Sequence, residues 1–368
     1  MILNSCRPRF PDFFEGDIAS KFRHALYTGQ ATNGGGHVRR FERKLSDYLR
    51  ASALCFCNGQ SALTAMLMAA DVVPGDEVVM PSFTFCGTAA AVRMLGATPV
   101  FADIDPHTLT IDPNDVAKRV TLNTRAILAV DVYGICCNYS KLEDAAAFHR
   151  RPLLIDSAPA FGSMWGAFPT GNKGDAQIFS FHATKPFCVG EGGCLSTNSA
   201  DMYERAKHIR DFGQTEDREC VAVGLNGKMQ EVNALIGLEN LKDWREYRHR
   251  RTMKAATLRF RINEVGGIRV IHEPMEPAQW PIWCYFPILI EPEFGKSRDE
   301  VLAYLKSKNI DARTYYSPGC HRMKPYANGQ SLPVTEMVAD RVIALPLYFD
   351  MLDEEMDYIA DTLRGAKK

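Results

Sequence analysis

The sequence predicts an α/β fold: a large, mostly parallel sheet covered by helices, followed by a smaller α+β C-terminal domain. Three observations carry this. Short apolar runs at 126–132 and 152–156 have aliphatic side chains on both faces, as strands buried inside a parallel sheet do. Stretches with helical spacing separate such runs at intervals that fit strand–helix–strand units. After about Met202 the alternation gives way to long helical patterns and then to an antiparallel-type strand. A chain of 368 residues is long enough for two domains. The boundary is placed near residue 245, giving a large domain over 1–245, with an N-terminal segment, and a small one over 246–368.

Each element follows from local pattern. A helix is expected near 17–28, ended by Gly34-Gly35-Gly36. Val38, Phe41, Leu45, Tyr48 and Leu49 then recur at helical spacing. Strands are expected at 53–57, 77–80, 99–103, 126–132, 152–156, 176–181 and 193–197, with helices at 61–71, 83–95, 114–120 and 141–149 between them. Residues 206–210 and 230–251 read as helices, the second as one long element. Residues 283–290 read as a strand and 298–309 as an amphipathic helix. The tail at 364–368 reads as frayed.

Composition narrows the function classes. The net charge is -1, so no charge excess points to nucleic acid or an anionic membrane. No apolar run approaches the roughly 20 residues that span a bilayer. Residues 1–8 lack a secretory apolar region, so a cytoplasmic location is expected. The eleven cysteines do not form metal or disulfide patterns. Cys55-Phe56-Cys57 and Cys136-Cys137 are not Cys-x-x-Cys pairs, and no His pair stands nearby at zinc spacing. They read as small buried hydrophobes, and no metal site is expected.

Chemistry concentrates at strand ends. Lys185 follows the apolar stretch 176–181 through small and polar residues, and Gly190-Glu191-Gly192-Gly193 comes after it. A lysine just past a buried strand is partly stripped of water, which suits an amine that must attack a carbonyl and form a Schiff base. Asp156 ends the strand 152–156. Ligands of open α/β sheets bind at such tips. An acid there can hold the protonated pyridine nitrogen of pyridoxal phosphate (PLP), although a helix N-cap is the alternative. Asn58-Gly59-Gln60-Ser61 joins a strand to a helix start, where free N–H groups favour an anion such as a phosphate. Phe83 and Phe85 lie past the strand 77–80; one could stack on a ring while the other fills core.

Taken in order, these segments resemble the DegT/DnrJ/EryC1/StrS family of PLP-dependent sugar aminotransferases, within fold type I of the aspartate aminotransferase superfamily. The resemblance runs over about residues 39–321. Its matching segments include Asn58-Gly59-Gln60-Ser61-Ala62-Leu63, Pro81-Ser82-Phe83-Thr84-Phe85, Asp156-Ser157-Ala158, Ser180-Phe181-His182-Ala183-Thr184-Lys185, Glu191-Gly192-Gly193 and Gly224-Leu225-Asn226-Gly227-Lys228-Met229. The resemblance implies a seven-stranded-type sheet. It makes Lys185 the lysine joined to the cofactor aldehyde and Asp156 the partner of the ring nitrogen. Gln60, Ser61 and Ser180 would hold the phosphate, and Phe85 would stack on the ring. Asn226 would reach the cofactor phosphate of a neighbouring subunit, which implies a homodimer. His321 loosely resembles a residue near the substrate.

The implied activity moves an amino group from L-glutamate to a nucleotide-linked keto sugar, with a 4-keto-6-deoxyhexose expected. The product would be a 4-amino-4,6-dideoxy sugar for a surface polysaccharide or glycoside. A 3-keto sugar aminotransferase, a pyridoxamine-phosphate-dependent sugar dehydratase and a non-catalytic binding or regulatory protein are the alternatives. The sequence also departs from the family. Pro159 stands where Gln or His is usual, Gln60 replaces a common Thr, Gly227-Lys228 replaces Tyr-Arg, and Asp131 stands where His is common.

Overall fold

The computed structural model describes residues 2–11, 17–27, 29–271 and 279–367. Its centre is a seven-stranded sheet. The strands lie in the order Ser52–Phe56, Gly193–Thr197, Ala176–Ser180, Leu153–Asp156, Thr124–Val130, Glu77–Pro81 and Thr98–Ala102. Gly193–Thr197 runs antiparallel to both its neighbours, and the other pairings are parallel. The parallel strands therefore end at one common edge. Leu153–Asp156 and Ala176–Ser180 are buried along their whole length, because helices cover both faces.

The helices begin where local chemistry lets them. Gly59–Ala69 is capped by Asn58, whose Oδ1 accepts the Ser61 N–H at 2.7 Å. Cys86–Met94 starts after Phe85, three residues later than the apolar pattern suggests, because Ser82 to Phe85 form an irregular turn at the sheet edge. The stretch read as one helix over 230–251 is two helices, Glu231–Lys242 and Trp244–Asn263, broken at Asp243. The break lets Trp244 turn inward onto Phe161, Phe187 and Tyr247.

A second unit contains an antiparallel sheet of Ile268–Val270, Phe286–Ile290 and Val342–Leu345, packed by Arg298–Ser307, Pro333–Arg341 and Asp353–Lys367. The last helix is ordered to Lys367, where a frayed tail was expected, because Ile359, Leu363 and Ala366 are buried. The N-terminal segment runs along this second unit. Leu3 exchanges backbone hydrogen bonds with Asn309 and Asp311, and Arg7 pairs with Asp350 and Glu355. Phe83, Ile104 and Tyr133 of the first unit share one apolar cluster with the second, which fixes the groove between them.

Candidate active site

A cleft of about 460 Å³ opens at the common strand edge. Asp156 forms part of its wall, at the tip of its strand and almost wholly buried. No helix follows it, so it is not an N-cap. Its Oδ2 accepts the Thr88 hydroxyl at 2.8 Å, and its Oδ1 accepts the Ala158 N–H at 3.1 Å. Burial pushes the carboxyl above its ordinary range; the two hydrogen bonds and the positive charge of Lys185 pull it back. Lys185 lines the same cleft, in the turn after Ala176–Ser180. The two residues picked out at strand ends thus face one space.

The third corner is the helix start. Gly59 and Gln60 line the cleft beside Ser180. A Cβ on Gly59 would lie 2.8 Å from that of Ser180, so only glycine permits this approach. The Asn58 cap takes the Ser61 amide, leaving the Gly59 and Gln60 amides at the open helix end, which favours an anion. The Gln60 side chain is engaged elsewhere, its Nε2 donating to the Gly87 carbonyl at 3.1 Å. Phe85 is 59% exposed and lines the cleft, whereas Phe83 is fully buried, so the pair divides between site and core.

Other expected positions lie apart. Ser61 does not line the cleft; its hydroxyl sits 3.2 Å from Cys57 Sγ. Asn226 is exposed and outside this wall, bridged to Asp211. His321 does not reach the cleft and is 2% exposed. Its Nδ1 lies 2.6 Å from the Ser82 hydroxyl, and its Nε2 lies 3.1 Å from Glu336. Both ring nitrogens have partners, so His321 ties the Ser82 turn to the second unit.

The departures are also resolved in place. Pro159 lines the cleft and brings no side-chain donor. Asp131 lies outside it, fully buried, where its carboxylate accepts the hydroxyls of Tyr139 at 2.6 Å and Ser157 at 2.5 Å and the Cys137 N–H at 2.9 Å. Lys228 pairs with Asp211 at 2.6 Å and sits over the Phe212 ring.

Several wall residues carried no sequence signal strong enough to find them. Thr84 and Thr88 come from the irregular turn and the helix after it. Tyr285, Tyr315 and Tyr316 arrive from the second unit. Tyr316 is held by stacking on Tyr133, with centroids 5.9 Å apart, and by the edge of Phe83 at 5.7 Å. The aromatic pair Tyr315-Tyr316 just before Ser317-Pro318 was the available hint. Among the described residues no cluster of metal-ligand type exists, and all eleven cysteines are free.

The arrangement is a buried acid, a lysine, an exposed aromatic ring and a helix N-terminus around one cleft. The sequence profile of the DegT/DnrJ/EryC1/StrS aminotransferase family matches residues 14–364. The chain belongs to this family. It is 34% identical to a dTDP-4-amino-4,6-dideoxy-D-glucose transaminase of Shigella dysenteriae over 92% of each chain. It is 31% identical to a dTDP-3-amino-3,6-dideoxy-alpha-D-galactopyranose transaminase of Aneurinibacillus thermoaerophilus, covering 89% of this chain and 90% of that one. Among solved structures, DesI in the presence of its TDP-sugar product superposes with a TM-score of 0.92 at 35% identity, over 100% of this chain and 93% of the other. The PLP form of the sugar aminotransferase Spr1654 from Streptococcus pneumoniae superposes at 0.90 with 25% identity, over 100% and 99%. The fold is that of the fold-type I sugar aminotransferases.

Proposed function

We propose that this family member is a PLP-dependent aminotransferase that moves an amino group from L-glutamate to a nucleotide-linked 4-keto-6-deoxyhexose, giving a 4-amino-4,6-dideoxy sugar. The observation that carries the reading is the joint placement of Lys185 and Asp156 on one cleft wall. The residues present fit the cofactor. The buried Asp156 carboxylate, raised by desolvation, favours a cation beside it, such as a protonated ring nitrogen. The Gly59 and Gln60 amides and the Ser180 hydroxyl suit the phosphate. Phe85 offers its face to the ring. When bound, PLP supplies the electron sink that stabilises a carbanion at the donor α-carbon.

The protein's own groups do the rest. Lys185 Nζ would hold the cofactor's aldehyde carbon and, when free, would serve as the base that moves a proton at the donor α-carbon. Asp156, oriented by the Thr88 hydroxyl and the Ala158 N–H, would be the charge partner of the ring nitrogen. The second unit closes the cleft with Tyr285, Tyr315 and Tyr316, which limits water.

The 34%-identical relative favours amination at C4, and the 31%-identical one supports C3 as a second reading. Lys185 disfavours the dehydratase reading, since those members replace it. The exposure of Asn226 fits a homodimer in which it would contact a neighbouring subunit, and a cytoplasmic location fits the described residues, where no helix is long and apolar enough to cross a membrane. The product suits lipopolysaccharide or glycoside assembly. The test is a coupled assay with L-glutamate across a panel of nucleotide-linked 3-keto and 4-keto sugars, with the product identified by NMR. Amination at C4 is expected; amination only at C3, or none, overturns the reading.

A further inference from the structure

We propose that His182 and Glu191 form a hydroxyl-reading pair that recognises the hexose ring rather than the amino donor; this rests on the aminotransferase reading above. Both side chains line the cleft, on either side of Lys185 in the chain. His182 Nε2 stands 3.6 Å from Glu191 Oε1. The backbone sets this spacing. The Ala183 N–H donates to the Gly190 carbonyl at 2.8 Å. Asn233 Nδ2 donates to the carbonyls of Val189 at 2.9 Å and Glu191 at 3.0 Å, which pins the turn.

The imidazole is oriented as well. The Thr184 N–H donates to His182 Nδ1 at 3.2 Å, and the Thr184 hydroxyl lies 2.8 Å from the same nitrogen. Nδ1 is therefore the lone-pair nitrogen, and the neutral ring carries its proton on Nε2, the atom beside Glu191. A separation of 3.6 Å is too long for a hydrogen bond, so neither group consumes the other's capacity. The result is an N–H donor and a carboxylate acceptor side by side, with His182 44% and Glu191 63% exposed.

A sugar hydroxyl matches that pair, since it can donate to the carboxylate and accept from Nε2 at once. The amino donor does not. L-glutamate carries two carboxylates, which Glu191 repels, and the one lysine among the cleft-lining residues, Lys185, is assigned to the cofactor rather than to a donor carboxylate. The diphosphate of a nucleotide is repelled for the same reason, which leaves the neutral hexose ring as the moiety the pair reads. The bland alternative is a solvated ion pair with no role.

Single-turnover kinetics separate these. The glutamate half-reaction is followed by bleaching of the visible cofactor band, and the sugar half-reaction by its return on adding dTDP-4-keto-6-deoxyglucose. Glu191→Ala and His182→Phe are expected to raise the sugar's apparent KM about tenfold or more, as loss of a hydrogen bond to a charged group does. The glutamate half-reaction should change less than about twofold on the same scale. Glu191→Gln, which keeps shape and loses charge, should fall between. Equal losses in both half-reactions, a loss confined to glutamate, or no loss in either overturns the proposal. Failure of the unsubstituted protein to bleach with glutamate would instead remove the aminotransferase reading beneath it.

Discussion

Thr88 Oγ1 donates a 2.8 Å hydrogen bond to Asp156 Oδ2, and the Thr84 hydroxyl lies 3.0 Å from Thr88 Oγ1. A hydroxyl has one proton, so Thr88, having given its own to the carboxylate, accepts from Thr84. With the Ala158 N–H on Oδ1, the carboxylate cannot turn. A buried anion fixed in this way, with its pKa raised by desolvation, gains most from a cation placed beside it.

That relationship orders two substitutions. Asp156→Ala removes the charge and should lower kcat by about a hundredfold or more, the scale of one lost electrostatic stabiliser in a dry site. Thr88→Val keeps the charge and removes one hydrogen bond, so a loss of about tenfold is expected. Steady-state assays of both variants check the order. Thr88→Val matching the wild type would show that Asp156 needs no support from the threonine chain.

Lys185→Ala should abolish turnover and the visible absorbance of the lysine-bound cofactor, since no other lysine lines the cleft. Lys185 lies in a turn after the strand, so far-UV circular dichroism should not change. A coloured, active Lys185→Ala protein would refute its assignment.

Asp131 supplies a pH signature. Burial raises its pKa from 3.8 to about 6, against the opposing hydrogen bonds from Ser157, Tyr139 and Cys137. A carboxyl whose folded pKa is raised favours folding while protonated. That contribution is complete below about pH 4 and is lost as pH rises through 6. Two pKa units amount to roughly 3 kcal/mol as an order of magnitude. Asp131→Asn carries no such titration. Its unfolding free energy, measured by denaturant, should therefore rise relative to wild type by that order between pH 4 and 7. A constant difference across this window would place the titration elsewhere.

The sheet and the placement of two cleft residues were legible because their signals are local. Asp156 closes a short run of apolar residues, Lys185 follows another through His182-Ala183-Thr184, and Asn58-Gly59 joins a strand to a capped helix within four residues. Residues fixed by long-range docking were not legible. Tyr316 enters the cleft packed on Phe83 and Tyr133, where the second unit docks, and Tyr285 comes in beside Tyr315. The contacts of His321 with Ser82 and Glu336 likewise arise from docking between distant segments. The break at Asp243 was invisible for a similar reason. The apolar spacing continues through it, and only the aromatic cluster around Phe161 shows why Trp244 must turn inward.

The glycines at the phosphate end give a prediction about space alone. A Cβ on Gly193 would lie 2.5 Å from the Asn58 carbonyl oxygen and 2.7 Å from the Gly59 amide nitrogen. Backbone atoms cannot step aside as a flexible side chain can, so Gly193→Ala must push the strand away from the helix start. Gly59→Ala meets Ser180 instead, 2.8 Å from its Cβ. Each should cost about 1–3 kcal/mol of stability by overpacking. Each should also weaken cofactor binding, because the amides that receive the phosphate move with the turn. Gly36→Ala is the control: nothing lies within 4 Å of its added Cβ, at the first residue of Gly36–Leu49. Denaturant titration and fluorescence-monitored PLP binding should show both losses in the first two variants and neither in the third. Unaltered PLP affinity in Gly59→Ala and Gly193→Ala would move the phosphate away from this helix start.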